Sequence, residues 1–219
     1  MHWVTYLLNW IRSYGDRSPA HTGEPPPVNH EIPSAKQPES KHVQINFRDE
    51  LIAAAAKKIG VHESGGNNKG PEVEQFQKAV DGKAQGEPWC AAFVQFCIME
   101  VEKRFGATVV CHRSEHCLTI WAKTPGVHRY KFPKPGYLVI WNYENSLNGH
   151  IGIVSRVIDE FTIETIEGNT GPDDKTVERE GDGVYRKTRS LKQTGKMKLM
   201  GFICPFNPDN VTRPEVSQS

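Results

Sequence analysis

No run in this chain reaches the ~18 apolar residues that a membrane-crossing helix needs. Neither sign of charge prevails: 27 Lys and Arg stand against 26 Asp and Glu, a formal net charge of +1. That balance excludes a broad basic field for nucleic acid and an acidic interaction tail. Cysteine is scarce, five in 219 residues. Five is too few for a disulfide scaffold at this length, and an odd count leaves at least one thiol unpaired within the chain. Hydrophobic residues make up only 37% and the mean hydropathy is −0.56. Part of the chain is therefore expected to stand outside any packed core, and the remainder suits one domain.

The composition changes abruptly along the chain. In residues 1–15, Trp3, Tyr6, Leu7, Trp10, Ile11 and Tyr14 recur at helical spacing, which predicts a short amphipathic helix. It is a poor secretory signal, because no Lys or Arg precedes the apolar run and no small-residue cleavage site follows. The expected role is packing on its own domain or on a partner; interfacial membrane contact through Trp and Tyr is the alternative. Residues 16–42 hold six of the 15 prolines and no aromatic residue. They cannot bury enough apolar surface to offset chain entropy, so an extended linker is predicted, with a docking peptide as the functional alternative. The segment 207–219 is polar and expected to be a disordered tail.

Residues 43–206 read as one domain. Asn46 or Asp49 can cap a helix through Ile59 that Gly60 ends. Pro71 suits the first position of a second helix with Val73, Phe76 and Val80 on its apolar face. A third helix, from Trp89 to about Arg104, is apolar nearly all round and so expected at the centre. Strands are predicted at Tyr137–Trp141, Ile151–Val157, Phe161–Ile166, Val184–Arg189 and Lys198–Cys204. Helices first and consecutive antiparallel strands afterwards make an α+β pattern, not a βαβ one.

Chemistry gathers around Cys90, which opens the central helix after Pro88 and Trp89. Unpaired N–H groups at a helix start favour a thiolate and are expected to lower the cysteine pKa. A nucleophilic cysteine needs a base, and the base an orienter. His150 begins one strand, and the next strand ends Glu167-Gly168-Asn169. In a tight hairpin that end lies beside His150, so either Glu167 or Asn169 can fix the imidazole.

Three segments then carry a resemblance: Pro88-Trp89-Cys90-Ala91-Ala92-Phe93-Val94, Pro135–Trp141 running on to Gly149-His150-Ile151-Gly152-Ile153-Val154, and Ile166-Glu167-Gly168-Asn169-Thr170. Together they resemble the CHAP domain (cysteine, histidine-dependent amidohydrolase/peptidase) of the papain-like NlpC/P60 superfamily. The resemblance implies a papain-like α+β fold, with N-terminal helices packed on a central antiparallel sheet. It implies peptidoglycan hydrolysis at an amide bond, either N-acetylmuramoyl-L-alanine or one within the stem peptide or cross-bridge. Cys90 would be the nucleophile, His150 the base and Glu167 its orienter, with Asn169 completing the set. The Cys90 N–H is an expected oxyanion donor, and Gln85 is a weaker second candidate. Trp89, Trp141 and Tyr143 are candidate cleft residues, although a place in the core is the preferred reading for the two tryptophans.

No cofactor is expected. Some members carry an aspartate-rich calcium loop before the cysteine, but here Asp81–Trp89 offers only Asp81 and Glu87. Cys111-His112-Arg113-Ser114-Glu115-His116-Cys117 fits no standard zinc spacing. A zinc site, a Cys111–Cys117 disulfide and two unpaired thiols stay open there, the last preferred, while Cys97 reads as core. The expected partner is peptidoglycan as substrate to a monomer, with no nucleic acid. Action would be in the periplasm or outside the cell, as a phage endolysin, an autolysin or an antibacterial effector. A non-catalytic binding module and an amidase for a small amide are the competing readings.

Overall fold

Asn46 starts the first helix as the sequence predicts, its side chain accepting a hydrogen bond from the Arg48 N–H at 3.0 Å. The computed structural model describes residues 42–144, 146–172, 181–192 and 196–214. The expected helix at 1–15 and all but the last residue of the linker 16–42 lie outside the described residues. That last residue, His42, already belongs to a strand.

The elements run β1 (His42–Asn46), α1 (Phe47–Ala56), α2 (Pro71–Asp81), α3 (Cys90–Phe105), α4 (Cys117–Lys123), β2 (Arg129–Tyr130), β3 (Leu138–Tyr143), β4 (Gly149–Asp159), β5 (Thr162–Thr170), β6 (Gly183–Ser190), β7 (Met197–Ile203) and β8 (Asn210–Pro214). The fold is α+β, consistent with a papain-like architecture: helices first, then an antiparallel six-stranded sheet in the order β2-β7-β3-β4-β5-β6. Pro71 opens α2 and Gly82 ends it at φ 87°. The α1 helix stops at Ala56, three residues short of expectation, and turns carry the chain on to Gly60.

The polar segment from Asn207 does not stay loose. Residues 210–214 form β8, which pairs antiparallel with β1. Phe47 N–H donates to the Asp209 carbonyl at 2.8 Å, and Arg48 pairs with Asp209 at 3.0 Å. Partners supplied by the far end of the chain satisfy a strand that its own sequence does not announce.

Alternation along the strands divides the core in two. Leu138, Ile140, Ile151, Ile153 and Ile166 face the helices and pack with Leu51, Phe76, Phe93 and Ile98. Val139, Trp141, Val154, Ile163 and Phe202 form a second cluster on the other face. The α3 helix is buried through Val101, as an all-round apolar sequence requires. It lies so close to β5 that a Cβ on Gly168 would come within 2.8 Å of both Phe93 and Trp89.

Candidate active site

Cys90 is the first residue of α3 and is nearly buried. Its backbone N–H is among those that an α-helix leaves without an intrahelical acceptor. The imidazole of His150 comes from the other side of the sheet. Trp141 and His150 are partners across β3 and β4, and their rings stack at 6.1 Å with 24° between planes. Both belong to the face carrying the second core cluster, whereas Cys90 descends from the helical layer. They meet where β4 begins: Cys90 and His150 line one cavity, and each shifts the ionisation of the other.

Glu167 is fully buried, and its Oε2 lies 2.8 Å from His150 Nε2. That leaves Nδ1 for the thiol. The register explains the reach. Ile153 pairs with Ile166, and one step along the ladder Glu167 lies against Gly152. A Cβ on Gly152 would sit 2.7 Å from Glu167 Cγ, so only a glycine there lets the carboxylate lean toward His150.

The carboxylate is held from its other side by β6. Arg189 donates through Nε to Oε1 at 2.9 Å and through a terminal nitrogen to Oε2 at 2.5 Å. Thr165 Oγ1 adds a hydrogen bond to Oε1 at 2.6 Å. The guanidinium also lies 5.9 Å from the centre of the Trp141 ring. A buried charge is tolerable when paired and hydrogen-bonded in this way.

These contacts set the protonation states. Burial alone would raise the Glu167 carboxyl, but the hydrogen bonds from Arg189 and His150 hold it well below the usual carboxylate range. Burial works to lower His150; the hydrogen bonds to Cys90 and Glu167, with the Glu167 charge, outweigh it and raise the imidazole to about 9. Cys90 departs from the sequence expectation. Contact with the Cys117 thiol, then burial, pushes it well above its usual range, against the pull of His150. The helix start does not overcome the loss of water. At neutral pH the resting pair is a thiol beside an imidazolium, and one proton must leave before attack.

A cavity of about 320 Å³ opens over Cys90 and His150, lined also by Glu87, Glu115, Cys117 and Tyr143. Tyr143 is therefore at the cleft as expected. Trp89 is not: it is fully buried, packs on Phe76 at 5.7 Å and donates from Nε1 to Glu63 at 2.8 Å. Trp141 likewise serves His150 rather than the cleft. Gln85 is exposed and lines no part of this cavity; its backbone N–H binds Glu87 Oε2 at 2.8 Å, which leaves its candidacy as an oxyanion donor without support. Asn169 does not bond the imidazole. At φ 55° it turns its Oδ1 onto the Trp89 N–H at 2.8 Å and its Nδ2 onto the Gly181 carbonyl at 2.8 Å. It pins the residue before Cys90 while still lining the cavity.

Sequence reasoning missed Arg189 and Cys117. Alternation in β6 does put Tyr185, Lys187 and Arg189 on one face, but the register against β5 could not be read across the intervening segment. Cys117 is unpaired and lies against Cys90, not Cys111.

A family model described as the CHAP domain matches residues 82–169. Residues 82–169 are similar to CHAP domains. CHAP domains are generally cysteine- and histidine-dependent amidohydrolases, and at that level the protein is a hydrolase. The CHAP match contains Cys90, His150, Glu167 and Asn169 but ends before β6 and Arg189. No curated protein matches the chain.

Proposed function

We propose that this protein hydrolyses an amide bond of peptidoglycan, either N-acetylmuramoyl-L-alanine or a bond of the stem peptide or cross-bridge, acting on the wall from the periplasm or from outside the cell. The observation that carries the reading is the buried His150–Glu167 pair at 2.8 Å, set against the Cys90 thiol under an open cavity. A module that only bound its ligand would not need to bury two ionised groups beside a thiol.

In the first half-reaction His150 Nδ1 accepts the Cys90 proton as sulfur attacks the carbonyl carbon. The Cys90 N–H stabilises the oxyanion. The C–N bond breaks as the imidazolium protonates the amine, leaving a thioester. In the second half, His150 takes a proton from water, hydroxide attacks the thioester, and the acid leaves as the thiol is restored. Glu167 keeps the imidazole oriented and stabilises its charge, and Arg189 keeps Glu167 ionised.

Purified sacculi incubated with the protein should release muropeptides whose new termini, read by mass spectrometry, name the bond. Cys90→Ala and His150→Ala should release none while melting as folded proteins. Undiminished release by Cys90→Ala would defeat the proposal.

A further inference from the structure

Cys117 has no part in that reaction scheme, yet its position is specific. It is the first residue of α4 and is almost wholly buried. It forms part of the wall of the cavity above Cys90. Its sulfur would stand 3.1 Å from a Cβ placed on Gly149, the residue before His150. Cys90 and Cys117 line the same cavity, and each thiol shifts the ionisation of the other. The other three cysteines, Cys97, Cys111 and Cys204, are unpaired, buried and absent from this cavity. An alanine or valine could fill the place that Cys117 occupies. A second sulfur beside the nucleophile adds a chemistry that neither would: two thiols lining one open cavity are placed for oxidation and exchange.

We propose that Cys90 and Cys117 are a modification site, closing into a reversible disulfide that occupies the nucleophile and locks the hydrolase. The lock rests on the reading of Cys90 as nucleophile; the disulfide itself does not. Both side chains line one cavity, so closing the ~2.05 Å bond of a disulfide asks for movement within that cavity wall alone. With a peroxide as oxidant the steps balance. The hydrogen bond from Cys90 favours the Cys117 thiolate, which attacks one peroxide oxygen; the O–O bond breaks and hydroxide leaves, to be protonated to water. Cys90 then attacks the sulfenic sulfur, the S–O bond breaks, and the Cys90 proton leaves with oxygen as a second water. Two thiols have lost two electrons, and one peroxide has become two waters. A small dithiol reverses the reaction by exchange.

The test uses the full chain, reduced and then treated with hydrogen peroxide in small excess. The intact mass of the wild type should fall by two hydrogens, a peptide pair joined through Cys90 and Cys117 should appear, and release from sacculi should cease and return with dithiothreitol. In Cys117→Ser, or Cys117→Ala should the serine misfold, the same peroxide should add oxygen mass to Cys90 and the loss should persist after dithiothreitol once sulfinic acid forms. No joined peptide in an active wild type overturns the disulfide and leaves hydrolysis standing. A joined peptide in a chain inactive on sacculi in both states supports the disulfide and overturns the hydrolase reading. Recovery of Cys117→Ser equal to wild type overturns the lock.

Discussion

At the scale of single residues, the site is an alternating line of charge and proton: Arg189, Glu167, His150, Cys90. Arg189 and Glu167 are a fixed ion pair, so the proton that matters moves between imidazole and sulfur. An imidazole held at about 9 must shed its proton before it can act as base. Turnover of free enzyme should therefore rise through the neutral range, with its acid limb near pH 9. Replacing the carboxylate removes part of what raises His150, the share that Glu167 adds to that of Cys90. In Glu167→Gln the acid limb should move to lower pH while the maximal rate falls about 10–100-fold, the usual cost of losing an orienting partner. A full pH–rate profile for both proteins checks the two effects separately; an unmoved limb would mean that Glu167 does not set the imidazole.

At the scale of elements, catalytic placement depends on two glycines as much as on the charged residues. Gly152 makes room for Glu167 within β4, and Gly168 lets α3 lie on β5. Gly168→Ala would drive a methyl into Phe93 and Trp89, both fully buried. It should cost about 1–3 kcal/mol of stability, seen as a lower urea midpoint, and move Cys90 relative to His150. The central helix, the hairpin and the meeting of Cys90 with His150 were legible because each is written locally, in the all-round apolar run after Cys90 and in two strands joined by a short turn. The hairpin also narrowed the orienter to Glu167 or Asn169. It could not choose between them, because the choice follows from the positive φ at Asn169, which sends that side chain to Trp89. What was not legible depends on partners distant in sequence: β8 exists because β1 needs an edge, and Arg189 reaches Glu167 only through the register of β6. The Cys90 pKa was misread for a related reason. A helix start is visible in sequence, but the second thiol and the depth of burial are not.

For the whole molecule, the buried line ties stability to pH from both ends. Glu167, lowered from 4.5, contributes stability that is present above that value and lost as pH falls through its folded value. His150, raised from 6.5 to about 9, contributes stability that is complete below 6.5 and lost as pH rises through 9. Melting temperatures across pH should thus plateau between about 4.5 and 6.5 from these two groups and decline on either side. The protein should be firmest where it turns over slowly, and faster where it has begun to loosen. A melting maximum near pH 9 would contradict the charge assignment.

The place of Arg189 bears on where this enzyme can be divided. The segment 82–169 carries Cys90, His150 and Glu167, and looks like a self-sufficient cassette. Cut at Thr170, however, it would leave Glu167 buried without its guanidinium, a charge with half of its counterweight gone. Exchange of such cassettes between unrelated chains would succeed only where the breakpoint falls beyond Ser190. The unit that inheritance must keep together is therefore longer than the one that sequence similarity outlines.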